Sequence, residues 1–426
     1  MTLDFVNRER EIAELERAAR AGGLLVVFGR RRIGKSRMLR QWLDEIGGLY
    51  TQAIEGQPDM QLAQVHADLK DRLEIELQPK SWEELFQLLT LQKKPFVLCI
   101  DGFPYLTASD PSLPSHIQRF LDHKLPKGAL IVLAGSSTAM MNDLFLNRSA
   151  PLFGRAHKLM KLGPMDYAAF TRACDLDPRD LETFDRFAQV GGIPKYWEFV
   201  DRRQSATQLA DSLYFDFSPY MEQEPHRILR DECVTGLNPV TVLEAIGRGA
   251  ERPSEIANRV GTAQTNLSRV LQQLLDAAVL EREIPFGESM RSTKRTLYRI
   301  RDPALRFWFR VYSPHRSRWA GYTDVHKREL IHDHAATVFE DHIRVRYPEA
   351  ARYWEPGIEI DFLAPDPDRP RVRGAILVVE VKWRKLTAKE RKTELAEVER
   401  KWRACRLAER YAQPRFEVID CSALTS

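Results

Sequence analysis

Three uninterrupted apolar stretches mark the first third of the chain, and each leads directly into glycine or polar residues. Runs of this length between turn-forming residues are typical of strands that are buried on both faces. The stretches are LLVVF (24–28), FVLCI (96–100) and ALIVLAG (129–135). After the first, apolar residues return at helical spacing, at Leu39, Trp42, Leu43 and Ile46. The pattern predicts an α/β domain.

The middle of the chain has helical periodicity. Residues 166–235 are predicted to form helices with charged faces, and residues 239–284 hold three shorter helical patterns. In the third pattern, apolar residues recur at i, i+3, i+4, i+7 and i+8, which places them on one helix face. They are Leu267, Val270, Leu271, Leu274 and Leu275. Residues 279–300 then favour a two-stranded hairpin, and helices followed by such a hairpin resemble a winged helix.

The C-terminal part combines both periodicities, in the order helix, three strands, helix, strand. The first helix covers Asp333 to Arg346, and a capping box of Thr387 and Glu390 marks the start of the second. The predicted strands cover 352–354, 358–364, 375–383 and 416–420, and the second helix covers 387–403. This order predicts a further α/β domain.

One of these strands carries charge where an apolar face is expected. In ILVVEVKWRK (376–385), four apolar residues run into Glu380 and Lys382. Because side chains alternate along a strand, these two residues point to the same face as Ile376 and Val378. The pattern indicates either a functional site or an exposed charge pair on an edge strand.

Composition limits the class of protein. The chain has 426 residues, 43% hydrophobic and 29% charged, as in a soluble globular protein, and its length suggests roughly two to four domains. No apolar run approaches the roughly 18 residues of a membrane span. The cysteines show no paired spacing, which argues for a reducing compartment. They are Cys99, Cys174, Cys233, Cys405 and Cys421. We therefore expect a cytoplasmic protein without a membrane partner.

Positive charge is concentrated in one segment of the chain. The net charge is only +4, but residues 291–318 contain nine Lys or Arg against one acid, Asp302. A basic stripe of this kind suits contacts with phosphate groups. The alternative is a solvated surface on which the charges cluster by coincidence.

The strongest motif follows the first apolar run. GRRRIGKS (29–36) fits G-x-x-x-x-G-K-S and lies between a predicted strand and a predicted helix, the context that a phosphate-binding loop requires. Gly29 and Gly34 allow backbone N–H groups to face the phosphates, and the helix N-terminus adds a favourable field. We expect Lys35 to reach the β- and γ-phosphates and Ser36 to ligate Mg²⁺. The motif predicts ATP as a ligand.

Further positions extend the predicted nucleotide site. Asp101 follows the second apolar run and is expected to hold Mg²⁺, whereas Gly102 stands where many P-loop ATPases have a water-polarising glutamate. We therefore expect nucleotide binding with slow hydrolysis. Ser136 or Ser137 is either a γ-phosphate sensor or part of a plain strand-to-loop turn. Arg155 either stabilises the transition state, in cis or from a neighbouring subunit of a homo-oligomer, or is a surface arginine.

Six segments together resemble the archaeal-type P-loop ATPases, a family of the AAA+/STAND-like group that also occurs in bacteria. The segments are FVNRERE (5–11), FGRRRIGKS (28–36), IDGFPYL (100–106), LAGSS (133–137), PLFGR (151–155) and GGIPKYW (191–197). The resemblance implies that residues 5–11 lie near the adenine and that residues 191–197 belong to a helical lid. It extends to the rest of the chain, because members of this family often carry a winged helix and a C-terminal domain.

The predicted winged helix offers a polar surface to DNA. On its third helix the residues opposite the apolar face are Gln264, Thr265, Ser268, Arg269 and Gln272. In the hairpin, Arg291, Lys294 and Arg295 lie where a wing contacts a phosphate backbone. We predict DNA contact through these residues. The alternative is a winged helix that packs against its neighbours.

Asp361 on one strand and Glu380-x-Lys382 on the next resemble the PD-(D/E)xK nuclease superfamily, as does the order of the elements. Two carboxylates on neighbouring strands can ligate one Mg²⁺ or Mn²⁺ ion, which polarises the phosphoryl group and generates hydroxide. A lysine on the same face can orient the water or stabilise the developing charge. The resemblance implies that Glu340, on the preceding helix, is a further acid of this metal site.

These patterns together predict an α/β multidomain protein. Its parts are a P-loop AAA+-like ATPase core (1–165), a helical lid (166–235), a winged helix (236–312) and an α/β PD-(D/E)xK-like domain (325–426). The predicted function is ATP-gated binding or cleavage of DNA by a slow ATPase that is also a Mg²⁺-dependent endonuclease. Two alternatives remain open: an ATP-gated DNA-binding regulator with an inert nuclease fold, and a signalling ATPase whose winged helix contacts only protein.

Overall fold

The computed structural model describes residues 5–73, 78–92, 94–232, 234 and 236–424. Cys233 lies outside these residues, and the other four cysteines are buried free thiols. No helix within the described ranges is long and apolar enough to cross a membrane.

A five-stranded parallel sheet forms the centre of the N-terminal part, which confirms the predicted α/β fold. Its order is β2-β3-β4-β1-β5, and the apolar residues of its central strands are buried on both faces. The strands are β1 (Gly23–Phe28), β2 (Leu49–Gln52), β3 (Val97–Asp101), β4 (Leu130–Gly135) and β5 (Lys158–Lys161). The helices are α1 (Glu9–Ala21), α2 (Lys35–Ile46), α3 (Pro58–Leu73), α4 (Trp82–Thr90), α5 (Phe103–Ser109), α6 (Leu113–His123) and α7 (Thr138–Phe145).

A helical region follows the sheet, as the charged amphipathic pattern predicts. Its helices are α8 (Tyr167–Cys174), α9 (Leu181–Val190), α10 (Pro194–Trp197), α11 (Ala206–Ala210) and α12 (Glu224–Asp231). Helix α11 continues into a π-helical turn over Asp211–Phe215. Asp166 and Asp180 cap α8 and α9 by accepting hydrogen bonds from backbone N–H groups.

Three helices and a two-stranded hairpin come next, in the predicted order. They are α13 (Pro239–Gly247), α14 (Pro253–Val260), α15 (Gln264–Asp276), β6 (Leu280–Glu283) and β7 (Leu297–Ile300). The strands pair antiparallel, with Leu280 opposite Ile300. Two short helices, α16 (Pro303–Phe307) and α17 (Ser313–His315), flank a π-helical turn over Trp308–Tyr312.

The C-terminal part shows the predicted order of elements. They are α18 (Asp324–Arg344), β8 (Ala351–Glu355), β9 (Ile358–Pro365), β10 (Ala375–Lys382), α19 (Ala388–Ala404) and β11 (Gln413–Asp420). The sheet order is β11-β10-β9-β8, with β10 parallel to β11 and antiparallel to β9. Ile376 and Val378 share an apolar cluster with Val398 and Trp402 of α19, so α19 covers the sheet face to which Glu380 points.

Apolar packing joins the parts of the chain. One buried cluster extends from Leu25 of β1, through the helical region and the hairpin, to Ile419 of β11. Trp383, directly after β10, lies 4.7 Å between ring centroids from both Phe184 of α9 and Phe339 of α18. The C-terminal sheet therefore packs against the helical region. Among the predicted domain limits, residue 325 lies inside α18, which begins at Asp324; the division into domains stays a prediction.

The basic run 291–318 does not form one exposed stripe, so that expectation was wrong. Arg299 and Arg306 are buried, and each donates to Asp341 of α18, at 3.1 and 2.8 Å. Arg299 also donates to Glu283 of β6 at 3.2 Å. Carboxylates that are distant in sequence neutralise these guanidinium groups, and what remains is a set of separate exposed basic residues.

Candidate functional site

The glycine loop between β1 and α2 forms one wall of a cleft of about 360 Å³. The predicted residues Gly34, Lys35, Ser36, Asp101 and Ser136 line it. Phe5 and Val6 line it from the N-terminal segment, and Pro194 to Glu198 contribute from the helical region. The cleft therefore brings together the phosphate motif and the two segments that the family resemblance places near the adenine and in the lid.

The glycines of the loop are required by backbone geometry. Gly29 has φ +151°, and a Cβ atom there would lie 2.6 Å from the carbonyl oxygen of Leu162. Gly34 has φ +93° and precedes the first residue of α2. Both backbone conformations are rare for residues with a side chain. Glycine therefore suits both positions, because a side chain at 29 would clash with Leu162 and one at 34 would be held in a strained backbone conformation.

The side chains for a phosphate-bound Mg²⁺ ion meet at the floor of this cleft. The Ser36 hydroxyl lies 2.5 Å from a carboxylate oxygen of Asp101, and the Tyr50 hydroxyl donates to the same oxygen at 2.8 Å. A serine hydroxyl and a carboxylate are ligands that Mg²⁺ prefers, so these residues fit the ion. Lys35 Nζ donates to the carbonyl oxygens of Gly29 and Arg30, at 2.6 and 3.0 Å. Burial lowers the pKa of Lys35 to about 8.

Position 102 is constrained by structure. Gly102 has φ +77° and precedes α5, and an added Cβ would lie 3.2 Å from Ala53 Cβ. A glutamate in this left-handed conformation costs roughly 1–2 kcal/mol. A glutamate at position 102 would therefore be strained unless the backbone at the start of α5 changed with it.

Glu232 is an acid near the phosphate loop that motif analysis missed. Its carboxylate accepts hydrogen bonds from the N–H groups of Thr138 and Ala139, at 2.9 and 3.3 Å, and from the Ser137 hydroxyl at 3.4 Å. Ser137 is thereby turned to cap α7, whereas Ser136 lines the cleft. Burial raises the pKa of Glu232. No local signal marks this residue, because it approaches the loop after β4 only through the tertiary fold.

Hydrolysis of ATP is expected to be slow, with a turnover below about 1 s⁻¹ against an enzyme median of about 10 s⁻¹. The reason is that Gly102 cannot polarise the attacking water. Phosphate release under saturating ATP and Mg²⁺ measures this rate. Fast hydrolysis would contradict this expectation and would make Glu232 the first candidate for the base that activates water. The Glu232→Gln variant tests this role, because it keeps a hydrogen-bond acceptor and removes the base.

Three consecutive arginines of the glycine loop pair with acids from later parts of the chain. They occupy variable positions of the G-x-x-x-x-G-K-S motif, so the motif did not predict these contacts. The pairs are Arg30 with Asp302 at 2.6 Å, Arg31 with Asp231 at 3.1 Å, and Arg32 with Glu224. Arg30 also donates to the Tyr196 hydroxyl at 2.9 Å. The loop is thus connected directly to α12 and to the N-terminus of α16.

The structure does not bring Arg155 to the phosphate cleft of its own chain. Its guanidinium pairs with Asp122 of α6 at 2.9 Å and donates to the carbonyl oxygen of Pro151 at 2.8 Å. Arg155 is absent from the cleft lining given by the described residues. Because Arg155 is held by Asp122 away from the cleft, it does not act on a phosphate bound to its own chain. A role toward the nucleotide of a neighbouring subunit stays a prediction.

Asp361 lies among the carboxylates of the second predicted site. One of its oxygens accepts a hydrogen bond from the Val381 N–H at 2.7 Å. Burial, together with the nearby charges of Glu340 and Glu380, raises the pKa of Asp361 to about 8. Burial also raises the pKa of Glu340. Acids of α18 and β10 are therefore close enough to disfavour the ionisation of Asp361 on β9, which a divalent cation would relieve.

Glu380 is held by two lysines. Lys382 Nζ lies 2.9 Å from one of its oxygens, and Lys401 Nζ of α19 lies 3.1 Å from both. The carboxyl is buried, with 6% of its surface exposed. Lys401 was not predicted, because its position on a highly charged helix gives no signal. Strand β10 lies inside the sheet, between β11 and β9, and the buried Glu380 pairs there with the half-buried Lys382, so the two residues are not an exposed pair on an edge strand.

A different group of carboxylates has metal-ligand spacing. In the described part of the chain, the group of three whose oxygens all lie within 4.8 Å is Glu281, Glu283 and Asp341, and not Glu340, Asp361 and Glu380. Arginines surround this group, namely Arg299, Arg306, Arg344 and Arg352. Because the guanidinium groups already balance the negative charge, we interpret these acids as an ion-pair network that joins the hairpin to α18.

The predicted DNA-contacting residues divide into two groups. Gln264, Thr265, Ser268 and Arg269 of α15 are all exposed, as are Arg291 and Lys294. Arg295 is instead half-buried; it donates to the carbonyl oxygen of Trp354 at 3.0 Å and pairs with Glu288. The hairpin therefore uses Arg295 to pack against β8. The exposed residues of α15 and the hairpin loop remain available for a ligand.

Comparison with known families identifies the N-terminal part. Residues 5–199 match the model of an ATPase domain that is found predominantly in Archaea. This match supports an ATPase domain of the archaeal type in the N-terminal part of the chain. Residues 308–394 match a domain of archaeal and bacterial proteins of unknown function, and this span contains Glu340, Asp361, Glu380 and Lys382.

Similarity to individual proteins extends past the ATPase domain. An uncharacterized protein of Methanocaldococcus jannaschii is 27% identical over 426 residues, covering 93% of this chain and 91% of that protein. A Walker-type ATPase of Pyrococcus abyssi is 21% identical, with 72% of this chain and 97% of that chain covered and a TM-score of 0.53. This second likeness concerns the fold alone.

Proposed function

We propose that this ATPase uses its nucleotide state to control a metal-dependent nuclease-like site that acts on DNA. The observation that carries the proposal is the crowding of Asp361 by Glu340 and Glu380, with Lys382 in contact with Glu380. A buried carboxylate whose ionisation is disfavoured by neighbouring acids is unfavourable as an anion unless a cation or a proton neutralises it. A lysine beside such a site is the group that phosphodiester hydrolysis needs for charge stabilisation.

The residues have distinct roles in this proposal. Asp361 and Glu380 hold a Mg²⁺ or Mn²⁺ ion, and Glu340 contributes a further acid from α18. Such an ion supplies Lewis acidity and a hydroxide at neutral pH. Lys382 orients the water or stabilises negative charge on the phosphate. Lys401 holds Glu380 when no cation is bound, so binding of the ion involves exchange of an ammonium group for a divalent cation.

Ion pairs connect the phosphate loop to this site. Arg30 of the loop pairs with Asp302, which also caps α16 by accepting from the Leu305 N–H at 2.9 Å. One turn later, Arg306 pairs with Asp341, the neighbour of Glu340. We propose that a change at the loop on nucleotide binding is transmitted through α16 to α18.

Replacing Asp302 with Asn keeps a side-chain oxygen that can cap α16 and removes the negative charge that pairs with Arg30. This change should therefore abolish the response of cleavage to ATP and leave ATP binding intact.

DNA engagement is proposed through α15 and the hairpin loop, acting as a winged helix. Changing Arg269, Arg291 and Lys294 to Ala should flatten the plot of log K against log salt by two to three units, since each phosphate contact contributes about 0.9. Fluorescence anisotropy over a salt series measures the slope. Arg400→Ala, on the exposed surface of α19, is the matched control and should leave it unchanged. A slope that does not respond to the triple change would favour a winged helix that docks protein.

The overall test is cleavage of plasmid DNA by the full chain with Mg²⁺ or Mn²⁺, with and without ATP. We expect metal-dependent nicking whose rate changes with nucleotide. A second candidate function is an ATP-gated DNA-binding regulator with an inert nuclease fold, and the two lysines that hold Glu380 favour it. DNA binding without metal binding or cleavage would select that function.

A further inference from the structure

A cleft of about 550 Å³ lies beside the second site and has no role in the function described so far. The end of α13 lines one wall, through Arg248 and Gly249, and α18 and β9 line the other, through Glu340 and Asp361. Arg310, on the π-helical turn after α16, points into the same space. Two of the proposed metal-site acids therefore form part of a cleft that also presents guanidinium groups.

Two arginines of the cleft lack an acidic partner. Arg299, Arg306 and Arg352 also line it, but each pairs with a carboxylate. Arg248 and Arg310 make no side-chain hydrogen bond or ion pair with the described residues. Burial and the neighbouring Arg306 lower the pKa of Arg310. Arg310 and Arg248 are both exposed to solvent in the cleft, and the charges of Asp333 and Glu340 also act on Arg310. An accessible guanidinium without an ion-pair partner can bind a phosphate in a bidentate manner.

The size and the lining of the cleft restrict its ligand. A volume of 550 Å³ is that of a pocket for a drug-sized ligand, which corresponds to one or two nucleotides. No aromatic ring contributes to the lining among the described residues, so bases are not stacked and the phosphates are the groups that can be recognised. Because Glu340 and Asp361 lie on a wall inside this cleft, we expect a phosphodiester to reach them when its strand has separated from the duplex.

We infer that this cleft binds a single DNA strand, with Arg310 and Arg248 gripping the phosphate next to the one presented to Asp361 and Glu340. The inference rests on the proposed nuclease function and names its substrate class: unpaired strands, including overhangs and frayed ends, without sequence preference. The winged helix then contacts the adjoining duplex, and the cleft selects the unpaired part.

Cleavage of three labelled DNAs by the full chain with Mn²⁺ tests the inference: a single strand, a duplex with an overhang and a blunt duplex. We expect the blunt duplex to be cleaved at least tenfold more slowly. Arg310→Gln should slow cleavage of the single strand at least tenfold and slow hydrolysis of bis(p-nitrophenyl) phosphate less, because that small diester lacks the neighbouring phosphate that Arg310 is proposed to bind. Arg316→Gln, an exposed arginine outside the cleft, is the matched control, and Arg248→Gln tests the opposite wall.

The outcomes separate this inference from the proposed function. Equal cleavage of blunt duplex and single strand would contradict the inference that the cleft binds a single strand. Normal cleavage of the single strand by Arg310→Gln would also contradict it. Neither result would contradict the proposed nuclease activity. If neither DNA nor the small diester is hydrolysed, the nuclease proposal fails. Fluorescence anisotropy with single-stranded DNA then still tests whether the cleft binds a single strand. At least tenfold weaker binding by Arg310→Gln supports this inference, and unchanged affinity refutes it.

Discussion

Replacing Asp361 with Asn is expected to lower Mn²⁺-dependent DNA cleavage at least about a hundredfold, the scale on which losing one key electrostatic group lowers turnover. Burial and the neighbouring acids Glu340 and Glu380 raise the pKa of Asp361. A cation bound between these acids would stabilise the ionised form of Asp361, so we expect metal binding to depend on this residue. Asn can still accept the hydrogen bond from the Val381 N–H, and the fold should therefore be retained. A Mn²⁺ titration beside the cleavage assay measures both metal binding and turnover.

Controls for this change come from the same sheet. Glu417→Gln alters a carboxylate on the neighbouring strand β11, opposite Val379 in register, and should have no effect on cleavage. Lys382→Ala should leave the metal bound and slow only the chemistry. Normal cleavage by Asp361→Asn would exclude the proposed site. The same metal affinity in wild type and variant would show that the ion binds elsewhere.

Replacing Lys35 with Ala should weaken ATP binding at least tenfold, equivalent to about 1.4 kcal/mol. Its ammonium is the cation that the glycine-loop motif directs to the phosphates. In the structure it is turned to the carbonyl oxygens of Gly29 and Arg30, contacts that phosphate oxygens can replace. Isothermal titration calorimetry of ATP with Mg²⁺ measures the loss.

An exposed lysine of the N-terminal parallel sheet provides the comparison for this variant. Lys158 of β5 pairs with Glu14 at the surface, where such pairs contribute little, so Lys158→Ala should bind ATP normally. Equal affinities for Lys35→Ala and wild type would disprove the assignment of the phosphate site.

The parts of the fold that depend on local signals could be predicted. The glycine loop is a contiguous motif, and the capping box at Thr387 and Glu390 is present in the structure. The face of α15 follows from helical spacing, and its predicted polar residues are exposed. In each case the interacting residues lie within a few positions of one another in sequence.

The rest depends on contacts between distant segments. The prediction of one exposed basic stripe over residues 291–318 was wrong because Asp341, which is distant in sequence, pairs with Arg299 and Arg306. Lys401 reaches Glu380, and Glu232 reaches the loop after β4, only through tertiary packing. A single sequence gives the charge of these residues but not their partners. For the same reason the unpaired state of Arg310 could not be inferred from its position in an aromatic segment.

The three arginine pairs of the glycine loop have a consequence for how this protein can be cut or recombined. The region that matches the ATPase family ends at residue 199, whereas the acids that pair with Arg30, Arg31 and Arg32 are Asp302, Asp231 and Glu224. A fragment truncated at that limit would expose three unneutralised guanidinium groups around its nucleotide pocket. Chimaeras that exchange the ATPase domain between relatives would need to transfer α12 and the start of α16 with it. The set of residues that supports the glycine loop therefore extends beyond the region that matches the ATPase family, and it is discontinuous in sequence.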